Sequence, residues 1–447
     1  MDKNRIYISL PTCLQNMACS IEGRRIEEER YGSVFETKKA EYASSAKLQG
    51  EQLHNYQNER LKKIIDHCYK TVPHYTQLFD KLGLKPEDIS GVDELTKLPI
   101  LTKAEIKSDP DKFVSSAVSK EERYIHNTGG TSGAGLAFWT THSEDSEQWA
   151  VWWRYRNNIG ITRDKWCGLF GGKVIMSLDC HKGPYWRTNK PGKQIFFSSY
   201  HINEDTVIEY ADALEKNKIT WIHGYPTVIA EFARLLNLKN RHIHMDYVTV
   251  GSENMTENHK QTIKQAFGVE PYQHYGLTEG VANFSQDSER KLRIDEDFSY
   301  VEFVQNEYGY SIIGTTFTNY AMPLLRYDTG DYGELSDHQD GGFRIVDSIS
   351  GRASEYIRKP DGSVITSAAI SLIFNSFPEI VQGQLVVKKD GSVDINMILQ
   401  KDLATDREKE LRYKIRERFG GQIDFSLNTV NELKKTKSGK TKLIIEE

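Results

Sequence analysis

Between Trp166 and Phe267 the chain alternates apolar, β-prone runs with stretches of helical spacing, and nothing else in it narrows the fold so far. "WCGLFGG" (166–172), "TWIHGY" (220–225) and "YVTVGS" (247–252) read as strands, while 204–216, 226–238 and 256–267 read as helices. Strands this apolar must be covered on both faces, and parallel neighbours need a crossover of a dozen or more residues, usually a helix. The alternation predicts an α/β domain with largely parallel sheets, to which "YSIIGTTF" (310–317) adds a further strand.

Flanking segments extend this frame. Residues 36–70 carry Leu53, Tyr56, Leu61, Ile64, Ile65 and Cys68 at three- and four-residue spacing, which predicts one helix, with Pro73 and Pro86 punctuating the next stretch. In "LPILTKAEI" (98–106) a loop runs into a helix that Thr102 caps. A helix from about Ser143 to Gly160 carries Trp149, Trp152, Trp153 and Tyr155. With Trp139, Trp166 and Trp186, six of the seven tryptophans fall between 139 and 186. They fit an aromatic core packing this helix on the sheet, or the wall of a substrate pocket. After "GGFRIVDSISGR" (341–352) the texture changes to short strands at 364–366, 384–388 and 393–398 around a charged helix at 404–418. The expected division is a large, multi-sheet α/β domain at 1–350 and a small α+β domain at 351–447.

Composition excludes several classes. At 38% hydrophobic and 27% charged residues, the 447-residue chain is globular rather than disordered. No run approaches the ~20 apolar residues of a membrane span and no basic-then-apolar leader is visible, while an odd number of cysteines with no disulfide framework makes the reducing cytoplasm the expected compartment. A net charge of −5 argues against a nucleic-acid coat, although residues 356–447 hold 16 basic against 13 acidic residues. That excess sits in Lys434, Lys435, Lys437, Lys440 and Lys442. The five cysteines form no C-x-x-C pair; Cys167 and Cys180 read as ordinary thiols or, with His181, as ligands of one metal.

Five short stretches carry chemistry. "YIHNTGGTSGAG" (124–135) places four glycines and three hydroxyls where successive backbone N–H groups can turn around a phosphate. It lacks the G-K-[ST] ending of a Walker loop and the G-x-G-x-x-G of a dinucleotide fold. "YGLTEG" (275–280) puts Tyr275, Thr278 and Glu279 in one tight turn, an aromatic face beside a hydroxyl and a hard-cation donor. "RYDTGDYGEL" (326–335) offers Asp331 beside two glycines, where a carboxylate can take both hydroxyls of a ribose. "SGRASEYI" (350–357) holds Arg352, and "KTKSGKTK" (435–442) holds Lys440. Singly, each reads as a flexible turn, a β-turn, a surface acid, a linker arginine or a basic tail.

In this order and spacing the set resembles the adenylate-forming superfamily of acyl-CoA synthetases, peptide-synthetase adenylation domains and luciferases. The match is closest to its phenylacetate–CoA ligase-like branch and, within it, to CapK-type proteins encoded with capsule and O-antigen genes. "PTCLQNMACSIEGRRIEEERYG" (11–32), "FFSSYHI" (196–202), "HGYPTVI" (223–229), "GSENMT" (251–256) and "RKPDGSVI" (358–365) also look like that subgroup.

The resemblance implies an ATP-dependent, AMP-forming ligase that makes an acyl adenylate and then transfers the acyl group. Thr128, Gly129, Gly130, Thr131, Ser132 and Gly133 would wrap the β- and γ-phosphates. Gly251, Ser252 and Glu253 would line the adenine, with Tyr275 stacked on it, and Gly276 belongs to the same cofactor-binding set. Thr278 would touch the α-phosphate, Glu279 would bind Mg²⁺, Asp331 would hold the ribose and Arg352 would lie nearby. Lys440, brought in by a mobile small domain pivoting near Ser354 and Glu355, would neutralise charge growing between carboxylate and α-phosphorus. Two departures stand out: Ala134-Gly135 replaces the usual Lys-Pro after Gly133, and Ser354 replaces the usual hinge acid. His201 and Trp186 are the candidates for an acid or acceptor pocket. Coenzyme A, a carrier-protein thiol, or an amino-sugar amine or hydroxyl are the implied acceptors, and a homodimer is compatible. Two other readings stay open: an adenylyltransferase acting on a hydroxyl of a non-acyl substrate, and a nucleotide-binding scaffold without catalysis.

Overall fold

The computed structural model describes residues 3–127, 136–306, 309–350, 356–360, 364–366, 370, 373–374, 376–436 and 441–447. The chain divides into two compact units, each built from separated segments: Met1–Arg24, Arg163–Gln273 and Ser350–Glu447 in one, Arg25–Thr162 and His274–Ile349 in the other.

In the first unit, strands Tyr247–Gly251, Trp221–Gly224, Cys167–Phe170 and Gln194–Phe197 lie side by side and parallel, with Trp186–Asn189 antiparallel at the edge. Helices Val207–Lys216, Pro226–Leu238 and Glu257–Phe267 follow the strands as expected. They bury Tyr210, Phe232 and Phe267 with Phe170, Phe197, Ile222 and Val248 in one core. Pro226 sits in the first turn of its helix, where its missing N–H costs nothing. The segment after 350 forms its own four-stranded sheet in the order Phe425–Thr429, Val393–Leu399, Ile380–Val387, Ile444–Glu446. Helix Thr405–Phe419 covers it through Leu411, Ile415 and Phe419. This sheet is tied to helix Glu257–Phe267 by Asn258, whose side-chain amide donates to the Phe377 and Ile380 carbonyls.

The second unit departs from the expected parallel sheet. Its strands Ser299–Asn306, Gly309–Thr316, Tyr327–Leu335, Ile345–Ser350, Leu292–Ile294, Asn283–Gln286 and Tyr272–Gly276 follow one another across the sheet. Every registered pair among them is antiparallel. The reason is the length of the connections: 277–282 and 287–291 suffice for hairpins, and no helix intervenes to carry a parallel crossover. The single helix expected over 36–70 is also two helices, Ser33–Ser45 and Gly50–Thr71, parted where Gly50 takes a positive φ of 50°. The apolar spacing that predicted a helix lies wholly in the second of them, on Leu53, Leu61, Ile64, Ile65 and Cys68. Thr102 caps Lys103–Ser108 in a reciprocal box with Glu105, as expected.

Candidate active site

In the second unit the "YGLTEG" stretch is a hairpin. Strand Tyr272–Gly276 pairs with Asn283–Gln286, and the turn closes through Leu277 N–H to the Ala282 carbonyl (3.2 Å) and Gly280 N–H to the Leu277 carbonyl (3.0 Å). Gly280 sits at φ 67°, a conformation that favours glycine. The turn leaves Thr278 exposed and Glu279 buried at 6% exposure. Tyr275 packs on Phe284, ring centroids 4.8 Å apart, and its hydroxyl donates to the Asp331 carboxylate at 3.0 Å. Two motifs that lie 56 residues apart in the chain are therefore joined directly. Asp331 follows Gly330 at φ 74°, and its N–H donates to the Thr329 hydroxyl, so the carboxylate is presented by a fixed turn. Burial and the facing Asp331 carboxylate raise the Tyr275 phenol well above its ordinary pKa, which keeps its O–H a donor.

Beneath this hairpin lies a polar chain that no sequence motif marks. The Asn283 side-chain oxygen accepts from Trp152 Nε1–H (2.7 Å) and lies 2.8 Å from His274 Nε2, while its amide nitrogen donates to Asp295. Asp295 in turn receives Ser285 Oγ–H (2.7 Å) and Arg154 Nη2–H (2.7 Å). A Cβ at Gly276 would stand 2.7 Å from the Asn283 oxygen and 2.8 Å from the His274 ring, so the motif's glycine leaves room for this pair. The tryptophan helix, His142–Asn158, thus holds the hairpin through Trp152. Trp149 stacks under Arg30 (4.1 Å), and Trp153 donates to Tyr31 (3.2 Å). These three rings pack on protein groups, which is the core reading of the tryptophans.

In the first unit, the carboxyl ends of the parallel strands mark where open α/β sheets bind ligands. Gly251 ends its strand buried, and Ser252 follows at φ 68° and exposed. Glu253 accepts from the Thr227 hydroxyl (2.6 Å) and N–H (3.3 Å), an acid at a helix N-terminus. His201 is buried beside the Gln194–Phe197 strand, its Nδ1 2.7 Å from Ser198 Oγ and its ring stacked on Tyr185, and burial lowers its pKa. Trp186 lies on the edge strand, partly buried against Phe197 and Tyr210. From the small sheet, Lys435 reaches the same strand ends: its ammonium donates to the Ser199 carbonyl at 3.0 Å. Burial, in a setting that includes Glu231, Glu432 and Glu253, lowers the pKa of that ammonium.

Thr128, Gly129, Gly130, Thr131, Ser132 and Gly133, together with Arg352, Ser354, Glu355 and Lys440, lie outside the described residues. The residues flanking 437–440 are described. Lys435 and Thr441 form an antiparallel bridge, and buried Gln384 donates to the carbonyls of Lys434 (2.9 Å) and Lys442 (3.0 Å). Among the described residues no group of three or more His, Cys, Asp and Glu is gathered as for a metal, and no helix is long and apolar enough to cross a membrane.

The model of the CapK C-terminal domain matches residues 357–447. Protein CapK of Staphylococcus aureus is 26% identical over 99% of this chain and 99% of its own length. A phenylacetate–coenzyme A ligase of Thermus thermophilus is 26% identical over 84% of each chain. The chain is thus similar to CapK over its full length and to phenylacetate–coenzyme A ligases over most of it. The fold is shared with a solved 2-hydroxyisobutyryl-CoA ligase in its postadenylation state, at a TM-score of 0.66, 14% identity and coverage of 87% of this chain and 88% of that one. These similarities support reading the chain as an AMP-forming acid ligase.

Proposed function

We propose that the chain condenses a carboxylic acid with ATP to an acyl adenylate and then passes the acyl group to a thiol, with coenzyme A as the acceptor. In the first step a carboxylate oxygen bonds to the α-phosphorus, the bond from that phosphorus to the bridging oxygen breaks, and pyrophosphate leaves. In the second the acceptor's nucleophile, losing its proton, attacks the acyl carbon, and AMP leaves with the carboxyl oxygen it gained.

The observation that carries this reading is the Tyr275–Asp331 bond, which brings an aromatic face and a carboxylate together as a nucleoside would need them. Tyr275 would take the adenine, Asp331 the ribose and Thr278 the α-phosphate. The buried Glu279 carboxylate beside the exposed Thr278 hydroxyl is a hard-oxygen donor set that suits Mg²⁺. That ion would supply charge neutralisation to the phosphates. Lys440 would stabilise the pentavalent phosphorus, because a fixed cation acts most strongly on developing charge in a site shielded from water. The division at 350/351, with a pivot near Ser354 and Glu355, belongs to the same reading. A place in surface-polysaccharide biosynthesis belongs to the same reading, through the resemblance to CapK-type proteins.

Acid-dependent exchange of labelled pyrophosphate into ATP, run over a panel of aryl and aliphatic acids, tests it. Exchange with one acid class, followed by thioester formation with coenzyme A, is the expected outcome. AMP transfer to a hydroxyl compound, or ATP binding with no exchange, would replace it with one of the other two readings.

A further inference from the structure

We infer that Asn283 is a positioning residue for nucleotide binding: it sets the hairpin that presents Tyr275, Thr278 and Glu279 by anchoring both of its strands to the tryptophan helix. This rests on the nucleotide half of the proposed reading, and on nothing about the acid or the acceptor.

The orientation of the amide is fixed by its neighbours. Trp152 Nε1–H can only donate and the Asp295 carboxylate can only accept, so the Asn283 oxygen must face the indole and its nitrogen the acid. That oxygen then has one lone pair left for His274, which must carry its proton on Nε2 to fill it. Desolvation pushes the His274 pKa down to about 4, so at neutral pH the ring has a single N–H, and Asn283 fixes which nitrogen holds it. His274 lies immediately before Tyr275, on one strand of the hairpin, and Asn283 begins the other, opposite Gly276. One amide with no exposed surface therefore joins both strands of the turn to a helix that is itself locked by Arg154 on Asp295 and Asp297. The Leu277 carbonyl is held from the same helix by Gln148 (2.8 Å). Lines of force from helix to turn run through side chains that touch no nucleotide, so their loss moves the site rather than removing a ligand-binding group.

The test measures MgATP binding to the full chain by equilibrium dialysis, at a temperature where each variant is shown to be folded. Asn283→Asp sets two carboxylates face to face and removes the donor to Asp295. It is expected to weaken MgATP binding about tenfold, the equivalent of one lost buried hydrogen bond to a charged partner. His274→Gln keeps a donor and is expected to stay within about threefold of the parent, while His274→Leu loses about tenfold. Should Asn283→Asp fail to fold, the His274 pair decides. Wild-type affinity in a folded Asn283→Asp or His274→Leu variant would overturn the inference, and so would equal losses in both His274 variants. A parent that binds MgATP but activates no acid, with these losses intact, would sink the acid-ligase reading and leave the inference standing.

Discussion

Tyr275 and Asp331 share a hydrogen bond of 3.0 Å, the phenol donating and the carboxylate accepting. The bond links the aromatic and acidic halves of the proposed nucleoside site, so removing either side chain takes a hydrogen bond from the other.

Tyr275→Phe keeps the ring and its packing on Phe284 and removes only the O–H. Asp331 then loses the phenol's hydrogen bond, and KM for ATP is expected to rise about threefold to tenfold with kcat nearly unchanged. Asp331→Ala is expected to raise KM for ATP by more. Initial rates against ATP concentration decide it; an unchanged KM in both variants removes these residues from the nucleoside site.

Lys440→Ala is expected to abolish acid-dependent pyrophosphate exchange, by about a thousandfold or more, while ATP binding changes little. The lysine answers charge present only in the transition state, so its loss should appear in kcat. Full exchange in this variant would refute the assignment of the S-G-K lysine.

Lys435→Met removes the ammonium that rests on the Ser199 carbonyl. Because Lys435 and Gln384 tie the residues flanking 437–440, adenylation is expected to slow about fivefold to tenfold. Transfer from a chemically supplied acyl adenylate to coenzyme A should be unaffected, since that step does not draw on Lys440. Equal slowing of both half-reactions would mean only that the small sheet is damaged.

Acid should destabilise the protein through its buried histidines. His259 is 3% exposed; its Nδ1 accepts from Thr256 N–H (3.3 Å), and burial pushes its pKa down to about 4 from 6.5. Below about pH 6.5 the unfolded chain binds a proton that the native one refuses, so stability is complete above that pH and falls until about pH 4. The loss attributable to His259 is roughly 3 kcal/mol. Urea unfolding at pH 7.5 and pH 4.5 measures it, and His259→Gln should flatten the difference by about that amount.

Much of this was legible in the chain itself. The three strand–helix repeats between 166 and 267 appear where their patterns put them, because apolar runs and helical spacing are local consequences of which faces must be buried. Thr102 and its partner Glu105 are equally local, three residues apart. The antiparallel second half was not legible from "YSIIGTTF", since an apolar strand looks the same whichever way its neighbours run. Pairing direction is set by connection length and by partners far away in sequence.

The candidate site divides along the same line. Residue types and spacing offered Tyr275, Thr278, Glu279 and Asp331 as candidates, and only the resemblance to adenylate-forming enzymes gave them nucleotide roles. Only the tertiary structure joined Tyr275 to Asp331 and seated Lys435 on Ser199. It alone placed Asn283 between Trp152, His274 and Asp295. A buried polar group must find its partners wherever the fold brings them, and 131 residues of separation between Trp152 and Asn283 leave no trace in any local pattern.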